Sequence, residues 1–412
     1  MIFEALSFAT YEKLIEKIAK DLHDKTINPE DLNQEFITQT FNDLSESAAD
    51  GYGSKWNKFP KDGKGNTPLF LKRNIYAFSG AKSYAILEEL NNLLVDSDGK
   101  IRPFNEFMPL AKKVNENFNK NYLQAEYQTA KTAAQMAEKW ERLQETKDLF
   151  PNLKFRTVGD SRVRREHEKL DGIIIPIDDE FWNRFYPPLD WRCRCDVVAT
   201  AEDADEKIPD DLPTVKFKGN VGKDKEIYTK KGTFFQLLNT NENAVRNAEL
   251  SKLIAPFESK RTPKNNEIFI NIFADRSMIN NEFKNNVECG ELIRDVLKFK
   301  VELPAHLDGK IIKNRPNAEY RIKGKIADRK SPEGNRLSNQ LRKAQKQECE
   351  IIVYDLINYL FDMDTLLKKL KSSFEKDEHY PSIQEFIIIS KDRKTIKHYT
   401  RSEIKKGIPK DA

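Results

Sequence analysis

A chain of 412 residues with 70 Lys and Arg against 66 Asp and Glu has a net charge of only +4. That balance is too small to argue for nucleic-acid affinity as a whole-chain property and does not exclude a local basic face. The 38% hydrophobic and 33% charged residues, with a mean hydropathy of −0.71, fit two or three folded domains joined by solvated segments.

Four cysteines exclude a disulfide framework, and a reduced compartment is expected. Cys193 and Cys195 are too close in the chain to pair comfortably with each other. The first residues, MIFEALSFATYEKLIEKIAKD, carry acids inside every apolar run and do not read as a signal peptide. No stretch approaches the ~18 apolar residues of a membrane span.

Residues 1–150 read as helical. ATYEKLIEKIAKDLHD spaces Tyr11, Leu14, Ile15 and Ile18 at helical intervals, and PEDLNQEFITQTFNDLSESAADGYG begins with Pro-Glu-Asp and ends in glycines. SYAILEELNNLLVDSDGK follows. The run from FNEFMPLAKK to AEKWERLQE then repeats apolar residues every three or four positions, as one long packed helix would. Residues 151–200 change to short elements and turns. Residues 201–265 begin acidic, become Pro/Gly-rich and then weakly patterned, and read as a linker or surface extension. From 266 to 412 strands and helices mix: NEIFINIF, a helix, KVEL, a hairpin around Lys323-Gly324, a polar helix, EIIVYDL, another helix, and two strands joined by Lys-Asp-Arg-Lys. The fold class is therefore multidomain: a mostly α N-terminal half with a small Cys/His/Trp-rich knot, then a C-terminal α+β domain.

The knot holds the rare residues. Arg156 to Val198 contains His167, Trp182, Pro187-Pro188, Trp191, Cys193 and Cys195. His167, Cys193 and Cys195 suit a structural zinc, with Asp160, Asp171 or Asp196 as fourth ligand. The alternative is a knot held by packing alone, with the thiols as small apolar fillers. The segment resembles the phage Mu F-like head morphogenesis family. The resemblance rests on Asp160, Arg162, Arg164, His167, Leu170-Asp171-Gly172, Asp178-Asp179, Phe181-Trp182, Pro187-Pro188, Trp191 and Cys193-Arg194-Cys195. It implies a structural role: a minor head protein near the portal, working with portal and capsid proteins in the virion, with no enzyme activity from this part.

Three features of the C-terminal third bear on chemistry. AEYRIKGKIADRKSP offers Glu319, Asp328 and Lys330, the last two on one face of a strand; two carboxylates and a lysine can hold a divalent metal and stabilise a phosphoryl transition state. NRLSNQLRKAQKQ aligns Asn335, Asn339 and Lys343, with Gln347 beyond, as donors for phosphate or base edges. KDRKTIKHYT gathers Lys391, Lys394 and Lys397 around His398, a combination suited to RNA. Each also reads as an ordinary solvated face.

In order, these segments over residues 267–405 resemble the toxin-type nuclease domains of contact-dependent inhibition proteins and the barnase–EndoU–colicin–RelE-like nucleases. That resemblance implies RNA, often tRNA, as substrate, an immunity protein as partner, and action in the bacterial cytoplasm. Two mechanisms stay open. One uses the ribose 2′-OH with His398 as base, Lys330 or Lys391 on the phosphate, and Asn339, Lys343 and Gln347 orienting the strand. The other uses Glu319 and Asp328 as metal ligands; Glu319 stands where a PD-(D/E)xK nuclease has aspartate. A non-catalytic C-terminal binding domain on a purely structural capsid protein is the competing function.

Overall fold

The computed structural model describes residues 2–60, 66–205, 211–276, 281–334, 337–374 and 380–407. The chain divides into two compact units, Met1–Lys58 with Gly65–Ala248, and Phe59–Lys64 with Glu249–Ala412.

The first unit is built on α1 (Ile2–His23), α2 (Gln34–Tyr52), α3 (Thr67–Leu94), α4 (Phe104–Asn115) and α5 (Leu123–Glu145). Side-chain caps set two of the starts: Asn33 accepts from Phe36 N at 2.8 Å and Asn66 from Leu69 N at 3.2 Å. The central α3 is buried on nearly every face, including Lys82, whose ammonium meets the buried Glu126 carboxylate of α5 at 2.6 Å. α2 and α5 approach so closely that a Cβ on Gly51 would lie 2.0 Å from Lys131 O. The long helix expected from 104 to 145 is interrupted by a π-helical turn, Glu116–Asn121.

On this bundle sits a three-stranded antiparallel sheet of β1 (Asn152–Arg156), β2 (Ile174–Pro176) and β3 (Asp196–Thr200), ordered β2-β1-β3. The single turns α6 (Arg165–Glu168) and α7 (Trp182–Phe185) fill its connections. Trp182 Nε1 donates to Pro176 O at 3.0 Å, Tyr186 OH donates to Met136 O at 2.9 Å, and the Pro187-Pro188 bond is cis.

The stretch read as a linker contributes structure. α8 (Val221–Asp224) and α9 (Thr233–Leu238) belong to the first unit. Asn74 of α3 fixes the chain between them: its Oδ1 accepts from Ile227 N at 2.9 Å and Tyr228 N at 2.8 Å, and its Nδ2 donates to Tyr228 O at 2.9 Å. The apolar residues here insert singly, so no periodic pattern marks them. The boundary between the units falls within α10 (Glu242–Ser251).

The second unit is an eight-stranded mixed sheet ordered β11-β10-β9-β8-β7-β6-β5-β4. Its elements are β4 (Phe257–Arg261), β5 (Glu267–Asn271), α11 (Glu282–Leu292), β6 (Val301–Leu303), β7 (Tyr320–Ile322), β8 (Lys325–Lys330), α12 (Ser338–Lys346), β9 (Ile351–Asp355), α13 (Met363–Ser373), β10 (Glu385–Ile389), β11 (Ile396–Thr400) and α14 (Arg401–Lys406). Lys323 (φ 53°) and Gly324 (φ 80°) form the tight β7–β8 turn, both left-handed as a two-residue hairpin requires.

β8, β9 and β10 run parallel, and every residue of β9 and β10 is buried. That fits strands covered on both faces. Ile351, Val353, Ile387 and Ile389 pack with α11 residues Phe283 and Val287. Ile352, Tyr354, Phe386 and Ile388 pack on the other side with Leu341 of α12, Leu366 of α13 and Ile404 of α14.

Candidate functional sites

In the first unit, α6 carries His167 inward, and the strand β3 begins just after Cys195. His167, Cys193 and Cys195 are all buried. His167 Nδ1 lies 3.8 Å from Cys193 Sγ and 3.6 Å from Cys195 Sγ, and all the donor atoms fall within 4.8 Å of one another. The Cys195 thiol donating toward Cys193, with His167 beside it, lowers the Cys193 pKa; Cys195 is raised in turn. Two sulfurs and an imidazole nitrogen thus converge, a donor set that suits zinc.

The fourth ligand expected from the sequence is not supplied by the three aspartates. Asp160 takes both Arg194 nitrogens at 2.7 Å, Asp171 accepts from Thr157 N at 2.6 Å, and Asp196 holds Lys139 at 2.6 Å. Each carboxylate is spent on an ion pair or turn.

In the second unit, β8 brings Asp328 and Lys330 to one face, and Lys330 Nζ donates to Asp328 Oδ2. Lys330 also reaches Gln347 Oε1, 3.4 Å away at the end of α12, while Gln347 Nε2 donates to Asn317 O at 3.3 Å. Glu319, just before β7, accepts from Asn286 Nδ2 of α11. Burial first, then the negative charges of Asp328 and Glu282, pushes the Glu319 carboxyl up to about 7. His306 stands in the same field, its pKa lowered by burial, with Nδ1 3.8 Å from Asp275.

The other sequence candidates lie apart. His398 pairs with Ile387 across β10–β11, and the register carries that row through Val353 to Arg329. His398 therefore sits three strands from Asp328 and on the opposite face of the sheet. The strand alternation that unites Asp328 with Lys330 separates both from His398. His398 Nε2 is 2.6 Å from Glu385 Oε2, and Lys323 and Lys325 donate to the same carboxylate at 2.7 and 2.6 Å. Burial pushes Glu385 up, yet the two lysines and His398 overcome it and hold the carboxyl at about 2.

Lys391 is exposed in the β10–β11 turn. On α12, Lys343 is exposed and the exposed Asn339 accepts from Arg342 at 2.7 Å. Asn335 lies outside the described residues.

A buried charge network escaped the sequence reading. Asp355 takes Arg329 Nη1 at 3.0 Å and Arg393 Nη2 at 2.6 Å; Arg393 also donates to Asn285 at 2.9 Å and to Glu288. Arg329 Nε donates to Asn286 Oδ1 at 2.6 Å, so Asn286 bridges Arg329 and Glu319. The available signal was Arg329 itself, an arginine inside a strand whose neighbours face the other way.

Comparison with known proteins divides the chain likewise. Residues 104–198 match the family described as Phage Mu protein F like protein, and residues 315–395 match the contact-dependent growth inhibition CdiA C-terminal domain. Over 63 residues the chain is 40% identical to the capsid assembly protein F of Escherichia phage Mu, covering 15% of this chain and 14% of that protein. Over 74 residues it is 40% identical to the Mu-like prophage FluMu F protein of Haemophilus influenzae, covering 18% of each. The chain thus spans less than a fifth of these curated relatives. Among solved structures, the CdiA-CT/CdiI toxin and immunity complex from Burkholderia pseudomallei is similar at 16% identity and a TM-score of 0.24, over 30% of this chain and 88% of that one. The chain thus matches the Phage Mu protein F like family within its first unit and the CdiA C-terminal domain family within its second.

Proposed function

We propose that this chain is a phage or prophage head protein whose second unit is a toxin-type nuclease acting on RNA. The observation that carries the nuclease reading is the meeting of Glu319, Asp328 and Lys330 on and beside β8. Lys330 binds the buried Asp328, and burial together with the charges of Asp328 and Glu282 holds Glu319 near 7.

Hard oxygen donors repelling each other in this way fit a divalent cation, which Glu319 and Asp328 would hold. Such an ion supplies positive charge at a phosphoryl oxygen. Lys330, anchored by Asp328 and Gln347, presents its ammonium to the charge that develops on the scissile phosphate. Asn286 holds Glu319 in place. Lys343 and Asn339, on the exposed face of α12, track the phosphate backbone. The route with His398 as general base lacks support, because His398 belongs to the Glu385 cluster on the other face.

RNA, and tRNA within it, is the substrate class implied by the resemblance to toxin nucleases, and an immunity protein is the corresponding partner. The first unit serves head assembly beside portal and capsid proteins, with His167, Cys193 and Cys195 holding a structural zinc. The protein then works in two places: the virion and the cytoplasm of the recipient bacterium. Among the described residues no helix is long and apolar enough to cross a membrane.

The test is incubation of the full chain with total RNA and Mg²⁺ or Mn²⁺. Cleavage that disappears with EDTA and with Asp328→Asn supports the reading. An inert parent, or cleavage unaffected by Asp328→Asn, sinks it.

A further inference from the structure

One cavity of the first unit has no part in the reading above. It is a half-open cleft of about 960 Å³ against the knot, at the upper end of the size of small-molecule sites, which run to about 1,000 Å³. One wall comes from Arg164, Trp191 and Arg192 of the knot; the other comes from residues 216–236, beyond the segment matched to the Mu F-like family. The walls are tied together where Phe217 N donates to Leu189 O at 3.0 Å, and within the knot wall Arg164 Nη2 donates to Trp191 O at 2.9 Å.

Two chemistries converge on the cleft. Lys216, Lys218 and Lys231 join Arg164 and Arg192 around it. The one acid in its lining, Glu126, is already bound by Lys82 at 2.6 Å. Asp190 pairs with Arg164 and Lys216, at 3.4 and 3.6 Å. The cleft is therefore electropositive. Between the cations lie rings: Trp191 edge-on to Phe217 at 5.1 Å, and Phe234 stacked on Phe118 at 5.8 Å.

We infer that this cleft binds a single strand of nucleic acid, with phosphates on the lysines and bases against the aromatic rings. An acidic peptide would satisfy the cations but leave the rings without a matching partner. The inference is independent of the nuclease reading, since every residue it uses lies in the first unit.

The four tryptophans, Trp56, Trp140, Trp182 and Trp191, also lie in the first unit, so their emission reports this site and not the nuclease domain. The full chain, in EDTA, is titrated with a dodecamer of deoxythymidine, one of uridine, and oligoglutamate of equal length. We expect saturable quenching by an oligonucleotide. With about four phosphate contacts, the affinity should fall on the order of 50-fold between about 50 and 200 mM KCl. Whichever oligonucleotide binds more tightly identifies the sugar.

K218E/K231E should weaken binding at least about tenfold and K218Q/K231Q by less, with unchanged melting because both lysines are exposed. Trp191→Phe should lose most of the quench. The inference is overturned if neither oligonucleotide quenches, if K218E/K231E binds like the parent, or if oligoglutamate alone binds.

Discussion

Asp328 and Arg329 are neighbours in the chain that serve opposite faces of one strand. Asp328 anchors Lys330 on the α12 side, while Arg329 crosses to the α11 side and meets Asp355 at 3.0 Å. Asn286 joins the two sides, accepting from Arg329 and donating to Glu319. The candidate catalytic carboxylate and the buried ion network are thus mechanically linked.

That link makes Asp355 a stability residue. Asp355→Ala leaves Arg329 and Arg393 facing each other without their shared carboxylate, and should cost about 3–5 kcal/mol. Urea unfolding of the parent and variant measures it; a loss below about 1 kcal/mol would mean that the arginines find other partners.

Lys330→Ala should lower RNA cleavage by a factor of about 100 or more, because an ammonium aimed at developing charge acts in the transition state, and should also lower the melting temperature, because the buried Asp328 carboxylate is left without its partner. Cleavage rates and circular dichroism on the same preparation separate the two effects.

Glu319 predicts a pH dependence of definite sign. Its carboxyl stands at about 7 in the folded protein against an ordinary value of 4.5. The folded state therefore favours the protonated form. Stability from this group is complete below about 4.5 and is lost as pH rises through 7, to a total of about 3 kcal/mol. Glu319→Gln should flatten the pH–stability curve over that window, and Mn²⁺ should restore stability to the parent at pH 8 but not to the variant. Thermal melts at pH 5 and pH 8 provide the comparison.

His398→Ala should behave differently from Lys330→Ala. Removing the imidazole from Glu385 should cost about 1–2 kcal/mol of stability and leave cleavage within a few-fold of the parent. A hundredfold loss of cleavage with stability intact would reinstate His398 as a catalytic group.

For the knot, purified protein should contain close to one zinc per chain, and Cys193→Ser should lose it together with several kcal/mol of first-unit stability. Elemental analysis and a chelator-dependent melt measure both. A zinc-free parent that melts identically with and without chelator would leave a knot held by packing.

Some of this was legible in the sequence because it depends on short-range rules. Two residues apart on a strand share a face, so Asp328 and Lys330 could be paired on paper. Lys323-Gly324 marks its own turn, and the unbroken apolar runs of β9 and β10 announce strands covered twice. Other features depend on register. Whether His398 shares a face with Asp328 is decided by how β8, β9, β10 and β11 align, which no local pattern records. Asn286 is 33 residues from Glu319, and nothing about an asparagine in a helix advertises that partnership. Residues 213–238 looked like a linker because their apolar side chains enter the bundle one at a time. The π-helical turn at 116–121 hid inside a periodicity that carries on across it.

The place of β10 in the second unit has a consequence for biosynthesis. This strand supplies Ile387 and Ile389 to one core and Phe386 and Ile388 to the other, and it lies beyond residue 384. A nascent chain halted upstream, or one clipped in the loop before Glu385, lacks the layer against which both sets of helices close. A second unit truncated before Glu385 therefore cannot close either core, and its folding waits until translation has passed Ile389.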